Sequence, residues 1–268
     1  MDTLAIFGAG KIGEALVSGL LRADVSADDI VVVEHSAERA AVLRERYGVA
    51  SATPAGAVAH ARTLLIAVKP QDIGGLMETL APLVTADHLV ISVAAGIPTS
   101  YIERQLAGGV PVVRVMPNTP ALVDEAMSAI SPGSHAEEKH LLATEAILQS
   151  VGKVLRLPES QQDAVTALSG SGPAYFFFLV EAMIDAGLLL GLSRQVSADL
   201  IVQTALGAAT MLRDSGDHPV QLREAVTSPG GTTIVAIREL ERHGVRAALI
   251  AAIEAARDRS TELGRLYD

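Results

Sequence analysis

The chain has 268 residues, with 21 Lys plus Arg against 31 Asp plus Glu and a net charge of −10. It holds no Cys, no Trp, four Phe and four Tyr. The lack of thiols excludes a Cys nucleophile, a disulfide and a thiolate metal site, the charge argues against a nucleic-acid backbone as partner, and the scarce aromatics argue against base-stacking platforms.

Hydrophobic residues make up 49 % of the chain, enough for one large domain or two ordinary ones. The first residues run straight into a β-like segment, with no basic region leading a long apolar one, so no signal peptide is expected. The longest apolar stretches are broken by charges such as Glu181 and Asp185, which argues against a membrane span. A soluble cytoplasmic protein is expected, with no metal.

The first strand is Leu4–Phe7. Gly8-Ala9-Gly10-Lys11-Ile12-Gly13 follows at once, and an amphipathic helix over Ile12–Arg22 follows that. This is G-x-G-x-x-G in a strand–turn–helix context. The first glycine permits the tight turn, the second lets backbone approach a pyrophosphate, and the third lets helix and strand pack closely. The helix start offers unpaired N–H groups and a positive dipole end to phosphate. The alternative is a glycine-rich turn with no ligand.

The second strand, Ile30–Val33, ends at Glu34, about 20 residues beyond the glycines, where an acidic residue accepts from adenosine ribose hydroxyls and favours NAD. His35, Ser36 and Arg39 are instead suited to a 2′-phosphate, so both coenzymes stay open at this point. A helix over Ala37–Tyr47 comes next, then strand Leu64–Val68 into Lys69-Pro70, helix Asp72–Leu80, strand Leu89–Val93 into Ala94-Ala95-Gly96, and strand Val110–Val115 into Met116-Pro117-Asn118-Thr119-Pro120. Apolar strands alternating with helices indicate an α/β, doubly wound parallel sheet covered on both faces. Ligands bind such sheets outside the carboxyl ends of the strands. Lys69 and Asn118 are therefore candidate contacts, although the prolines beside them also serve simply to end strands. Two further strands, Ala126–Ile130 and Val154–Leu157, flank a helix near Glu137–Gln149 and can extend the sheet.

The pattern changes near Pro158-Glu159-Ser160, beyond which no strand is expected. We place the domain boundary there, giving 1–158 and 159–268. The second part reads as helices over Asp163–Leu190, Arg194–Asp214, Val220–Thr227, a segment after Ser228, and Val245–Leu266. Its stretch Pro173–Leu192 is apolar almost all round, so other helices must surround it. So small a domain can hardly do this alone, and a second subunit is expected; the alternative is a compact five-helix monomer. Ser169-Gly170-Ser171-Gly172-Pro173 interrupts or kinks the long helix, because helical glycine costs about 1 kcal/mol each. It marks a surface that something approaches closely, or a helix–helix contact. Ser228-Pro229-Gly230-Gly231-Thr232-Thr233 starts another helix with more glycine than a cap requires; its N–H groups suit a carboxylate and its hydroxyls a polar substrate atom. His60, His88 and His140 read as structural or exposed.

Taken together, Gly8–Gly13, Ala67-Val68-Lys69-Pro70, Met116–Pro120, Leu168–Tyr175 and Ser228–Thr233 resemble the pyrroline-5-carboxylate reductases, in order and over essentially the whole chain. The resemblance implies an N-terminal Rossmann domain and a C-terminal all-α dimerisation domain. It implies dimers that often assemble into decamers of five, and reduction of 1-pyrroline-5-carboxylate to L-proline with NADPH or NADH. By position, Thr233 matches the threonine near the pyrroline nitrogen. Thr232 and the Gly230-Gly231 backbone, beginning at Ser228, match the carboxylate-binding loop, which in the family comes from the second subunit's side of an interlocked dimer. Glu159 matches a position near bound proline. Gly8–Gly13, Ala67–Pro70 and Ala94-Ala95 match coenzyme contacts. Pro54 and Ala225 stand where some members have asparagine, so those two contacts are not transferred. The neighbouring readings are another two-domain imine reductase or 3-hydroxyacid dehydrogenase, whose helix lysine Ser171–Ala174 lacks, and a non-catalytic dinucleotide sensor.

Overall fold

The structure is a computed structural model that describes residues 3–267. The residues up to Arg156 form an eight-stranded sheet, ordered β3-β2-β1-β4-β5-β6-β7-β8. The strands are β1 Leu4–Phe7, β2 Ile30–Val33, β3 Ala50–Ser51, β4 Thr63–Ile66, β5 Leu89–Ser92, β6 Val112–Met116, β7 Ala126–Pro132 and β8 Gly152–Arg156. All neighbours run parallel except β6 and β7. The two late strands do extend the sheet, as the sequence suggested, but β7 enters it reversed because its link from β6 is too short for a parallel crossover.

The central strands are apolar on both faces, and alternate residues feed two cores. Leu4 and Ile6 join one with Leu16, Leu20, Leu43 and Ile147. Ala5 and Phe7 join the other with Val58, Ile73, Met77 and Ile102. The first face is covered by α1 Lys11–Arg22, α2 Ala37–Tyr47 and α6 Glu138–Leu148. The second is covered by α3 Pro54–His60, α4 Ile73–Leu80 and α5 Thr99–Gln105. This is the doubly wound arrangement expected from the sequence. Helices α3 and α5 and the two-residue β3 were not anticipated. Each is short, and β3 is exposed on both residues, so it carries no apolar signal. The sign for α3 was in the sequence all the same: Thr53 caps it by accepting from Gly56 N–H, and Pro54 occupies its first turn.

Beyond β8 the chain is helical. After a short α7, Gln162–Val165, the residues Thr166–Gly170 form a single π-helical turn, closed by Ser171 N–H donating to the Thr166 carbonyl at 2.8 Å. The interruption expected at the Ser-Gly cluster is therefore a π turn, a form that often marks functional positions. Then come α8 Gly172–Leu189, α9 Arg194–Ser215, α10 Pro219–Ala225, α11 Thr232–Arg242 and α12 Val245–Gly264.

The chain divides into two compact units. One runs up to Ser171 and resumes at Ala256; the other is Gly172–Ala255. The C-terminal return to the first unit is pinned at two places. Ser260 and Thr261 hydroxyls donate to Asp163 at 2.7 and 2.8 Å. The Tyr267 hydroxyl donates to the Pro70 carbonyl at 3.2 Å, with its ring edge-on to Tyr101. In the second unit Phe176, Phe177 and Phe178 are 69 %, 70 % and 71 % exposed, and Leu189 and Leu190 are 90 % and 82 % exposed. The stretch Glu159–Leu189 is also long and apolar enough to cross a membrane by length and composition alone, Glu181 and Asp185 notwithstanding.

Candidate functional site

The Gly8–Gly13 turn joins β1 to α1 at the carboxyl edge of the sheet. Gly8 has φ +88°, and a Cβ there would stand 2.9 Å from the Ala67 carbonyl oxygen. A Cβ on Gly13 would collide with the Gly8 carbonyl. A Cβ on Gly10 would meet nothing within 4 Å. The outer two glycines are thus required by packing, against Ala67 and within the turn, whereas Gly10 opens onto free space. Gly10 is also the N-cap of α1 and has no side chain to cap it, so the N–H groups of Lys11, Ile12 and Gly13 lack intrahelical partners. Lys11 is exposed and Ile12 half-buried. The arrangement fits a bound pyrophosphate.

Beside the turn lies a cleft of about 540 Å³ lined by Phe7, Gly8, Val33, Glu34, His35, Pro54 and Val68, and on its far wall by Gln71, Asp72, Gly75, Leu76 and Thr79. The cleft brings together the ends of β1, β2 and β4. Glu34 reaches back over it: one carboxylate oxygen accepts from Ala9 N–H at 2.9 Å, the other from Ser36 N–H at 3.2 Å. Ser36 caps α2 by accepting from Arg39 N–H, and His35 is exposed. Arg39 donates to the Ala9 carbonyl at 3.2 Å and forms an ion pair with Glu14. Glu14 also accepts from Arg46 at 3.1 Å and Tyr47 at 3.0 Å. Burial alone would raise the Glu14 carboxyl, but hydrogen bonds from Arg39 and Tyr47 outweigh it and hold it below the ordinary carboxylate range. Pro54, in the first turn of α3, stands in the cleft wall and offers no side-chain hydrogen bond. The far-wall residues Gln71–Thr79 were missed in the sequence; their only sign was their position just after Lys69-Pro70.

A second cleft in the same unit, about 560 Å³, is lined by Pro70, Gln71, Ala95, Gly96, Thr166, Ser171 and residues of the C-terminal return such as Arg259 and Leu263. It joins the ends of β4 and β5 to the π turn. Ala95 is exposed to it, whereas Ala94 is 3 % exposed and faces the core. Lys69 is exposed and caps the turn Pro70–Asp72.

Two candidates are already engaged by the protein itself. The Asn118 carboxamide accepts from Met127 N–H at 3.0 Å and donates to the Ser169 carbonyl and hydroxyl at 3.2 and 3.3 Å. It ties the β6–β7 link to the π turn. The Glu159 carboxylate accepts from the Thr99 N–H at 2.8 Å, the Thr99 hydroxyl at 2.7 Å and Arg114 at 3.2 Å. It fixes the start of α5 and satisfies an arginine that is 7 % exposed.

In the second unit Gly230 has φ +68°, and Gly231 N–H donates to the Ser228 carbonyl at 3.1 Å, closing a turn before α11. Gly231 is the N-cap of α11 and provides no side-chain cap. The Thr232 and Thr233 hydroxyls make no hydrogen bond among the described residues; Thr232 is exposed and Thr233 half-buried. Ala225 is exposed at the end of α10. The histidines lie elsewhere. His88 is 7 % exposed between Thr85 and the Val58 carbonyl, His140 Nδ1 accepts from Glu137 N–H, and His60 is exposed.

The chain is similar to known proteins over nearly its whole length. Residues 159–263 match the family model for pyrroline-5-carboxylate reductase dimerisation, and residues 3–96 match that for NADP oxidoreductase, coenzyme F420-dependent. A pyrroline-5-carboxylate reductase of Mycobacterium tuberculosis is 46 % identical over 98 % of this chain and 97 % of its own. A solved pyrroline-5-carboxylate reductase from Coxiella burnetii is 35 % identical with a TM-score of 0.92, covering 98 % of both chains. The Plasmodium falciparum pyrroline carboxylate reductase, solved with NADP bound, is 29 % identical with a TM-score of 0.88, again over 98 % of both. With identity at this level over nearly the whole of the chain, the chain belongs to the pyrroline-5-carboxylate reductase family.

Proposed function

We propose that this chain reduces the C=N bond of 1-pyrroline-5-carboxylate to give L-proline, with NAD(P)H as reductant. The observation that carries the reading is the pair of glycine-led, uncapped helix starts at Lys11 and Thr232, one suited to a pyrophosphate and the other to a carboxylate. Both lie in a chain whose whole length aligns with reductases of this family. Bound NAD(P)H supplies the hydride. The protein binds and orients. Gly8, Ala9, Gly10, Lys11, Ile12 and Gly13 hold the pyrophosphate, Glu34, His35 and Ser36 face the adenosine end, and Ala67, Val68, Lys69, Pro70, Ala94, Ala95 and Asn118 shape the edge where the nicotinamide lies.

The substrate carboxylate is held by the N–H groups of Gly230 and Thr232, while the Gly231 N–H closes the turn onto the Ser228 carbonyl and so presents them. The Thr233 hydroxyl donates to the ring nitrogen and, with water, relays the proton that the new amine requires. Glu159 anchors the strand edge nearby through Thr99 and Arg114. The functional division falls at 158/159, a reading supported by the start of the dimerisation match at residue 159. The exposed Phe176–Phe178 surface is covered by a second copy, whose Ser228–Thr233 loop completes the site; dimers assemble further into decamers of five, in the cytoplasm. The apolar Glu159–Leu189 stretch is an interface in this reading rather than a membrane span. The test is loss of reduced-coenzyme absorbance when pyrroline-5-carboxylate is added. Turnover with proline as product is expected, and no turnover with either coenzyme would reject the reading.

A further inference from the structure

We infer that Glu34 sets the coenzyme preference, so that NADH is bound more tightly than NADPH; this rests on the reading of the glycine turn as a dinucleotide site. The two coenzymes differ only at the adenosine ribose, where one has a 2′-hydroxyl and the other a 2′-phosphate. A hydroxyl can donate a hydrogen bond, whereas a phosphate only accepts and brings a charge near −2. A carboxylate is itself acceptor-only. At the end of β2, where this fold places the ribose, Glu34 therefore rewards the hydroxyl and repels the phosphate.

Three observations sharpen this beyond the presence of an acidic residue. First, the carboxylate is fixed, with one oxygen on Ala9 N–H at 2.9 Å and the other on Ser36 N–H at 3.2 Å. It cannot swing aside for a phosphate without unpairing the glycine turn. Second, each oxygen keeps a lone pair free after those bonds, and Glu34 lines the cleft that would receive the ribose. Third, the nearby cation is spoken for. Arg39 donates to the Ala9 carbonyl, and its charge is matched by Glu14. His35 and Ser36 offer donors, but neither removes the carboxylate from the cleft.

The test is a fluorescence titration of the intact oligomer with NADH and with NADPH, without substrate. NADH should bind about tenfold or more tightly, and added salt should narrow the ratio as it screens the repulsion. Glu34→Gln keeps a carbonyl oxygen for Ala9 N–H while removing the charge. It should tighten NADPH about tenfold and weaken NADH, because the ribose hydroxyl loses its charged acceptor and Ser36 N–H loses its own. Equal or tighter NADPH binding by the unaltered protein overturns the inference, whatever the variant does. So does a Glu34→Gln protein that loses affinity for both coenzymes equally, which would make Glu34 only a brace of the turn. Failure to bind either coenzyme overturns both the inference and the dinucleotide reading. The expected ratio without turnover of pyrroline-5-carboxylate would reject the substrate alone and leave the inference standing.

Discussion

Thr233 and Gly13 test the chemistry at opposite ends of the proposed site. The Thr233 hydroxyl has no hydrogen-bonding partner among the described residues, so removing it costs the fold little while depriving the ring nitrogen of its donor. Thr233→Ala should lower kcat/KM by about 10²–10⁴, the usual span for a lost acid–base group. Thr233→Ser should recover most of that loss, and coenzyme affinity should be unchanged in both. Near-normal kcat/KM in the alanine variant would remove Thr233 from the reaction. Gly13 differs because its absent Cβ is occupied by the Gly8 carbonyl. Gly13→Ala must push α1 away from the turn and should weaken coenzyme binding at least tenfold, since displacements of an ångström in such turns are costly. Fluorescence titration reads the outcome directly. Much of this was legible in residue order: the glycine turn, the Lys69-Pro70 break and the threonine loop are local signals. What Asn118 and Glu159 touch was not. Each is engaged by groups far along the chain, Ser169 for one and Thr99 and Arg114 for the other, and spacing carries no information about such pairings.

Among the elements, the helices around the glycine turn and the strand edge are held by partly buried ion pairs. Arg114 on β6 meets Glu159, which also holds the N-terminus of α5. Arg114→Met should destabilise the chain by about 2 kcal/mol in urea unfolding, less than a fully buried broken pair, because Thr99 keeps Glu159 hydrogen-bonded. Coenzyme affinity should stay put, since the pair lies away from the glycine turn. Glu14 on α1 gives a pH signature. Its folded value lies below the unfolded 4.5, so its contribution is fully present above that value. It is lost as pH falls through the lower folded value. Stability measured from pH 6 down to 3 should therefore drop less steeply in Glu14→Gln than in the parent protein; identical slopes would show that the Arg39–Tyr47 cluster adds nothing. These elements also show where pattern reading stops. Long periodic helices and the apolar strands were found within a residue or two. The two-residue β3 and the seven-residue α3 and α5 were not, because elements so short are stabilised by tertiary packing rather than by their own periodicity. The reversal of β7 likewise follows from the length of one connection, which apolar patterning does not encode.

For the whole molecule, the question is what covers α8. A helix apolar nearly all round is stable in water only when other surfaces bury it, and each buried Phe contributes about 1.5–3 kcal/mol. Here three consecutive phenylalanines are about 70 % exposed on a chain that matches a dimerisation family over residues 159–263. Burial against a second copy accounts for both facts. Phe177→Glu places a charge on that face and should shift the species seen in sedimentation from a multiple of 27.8 kDa toward the single chain. Activity should fall with it, because the Ser228–Thr233 loop is proposed to come from the partner, while the affinity of the first unit for coenzyme should survive. That split separates assembly from simple misfolding, which would abolish both. A monomer of full activity would mean that one chain supplies its own loop, and the interlocked arrangement would have to be abandoned.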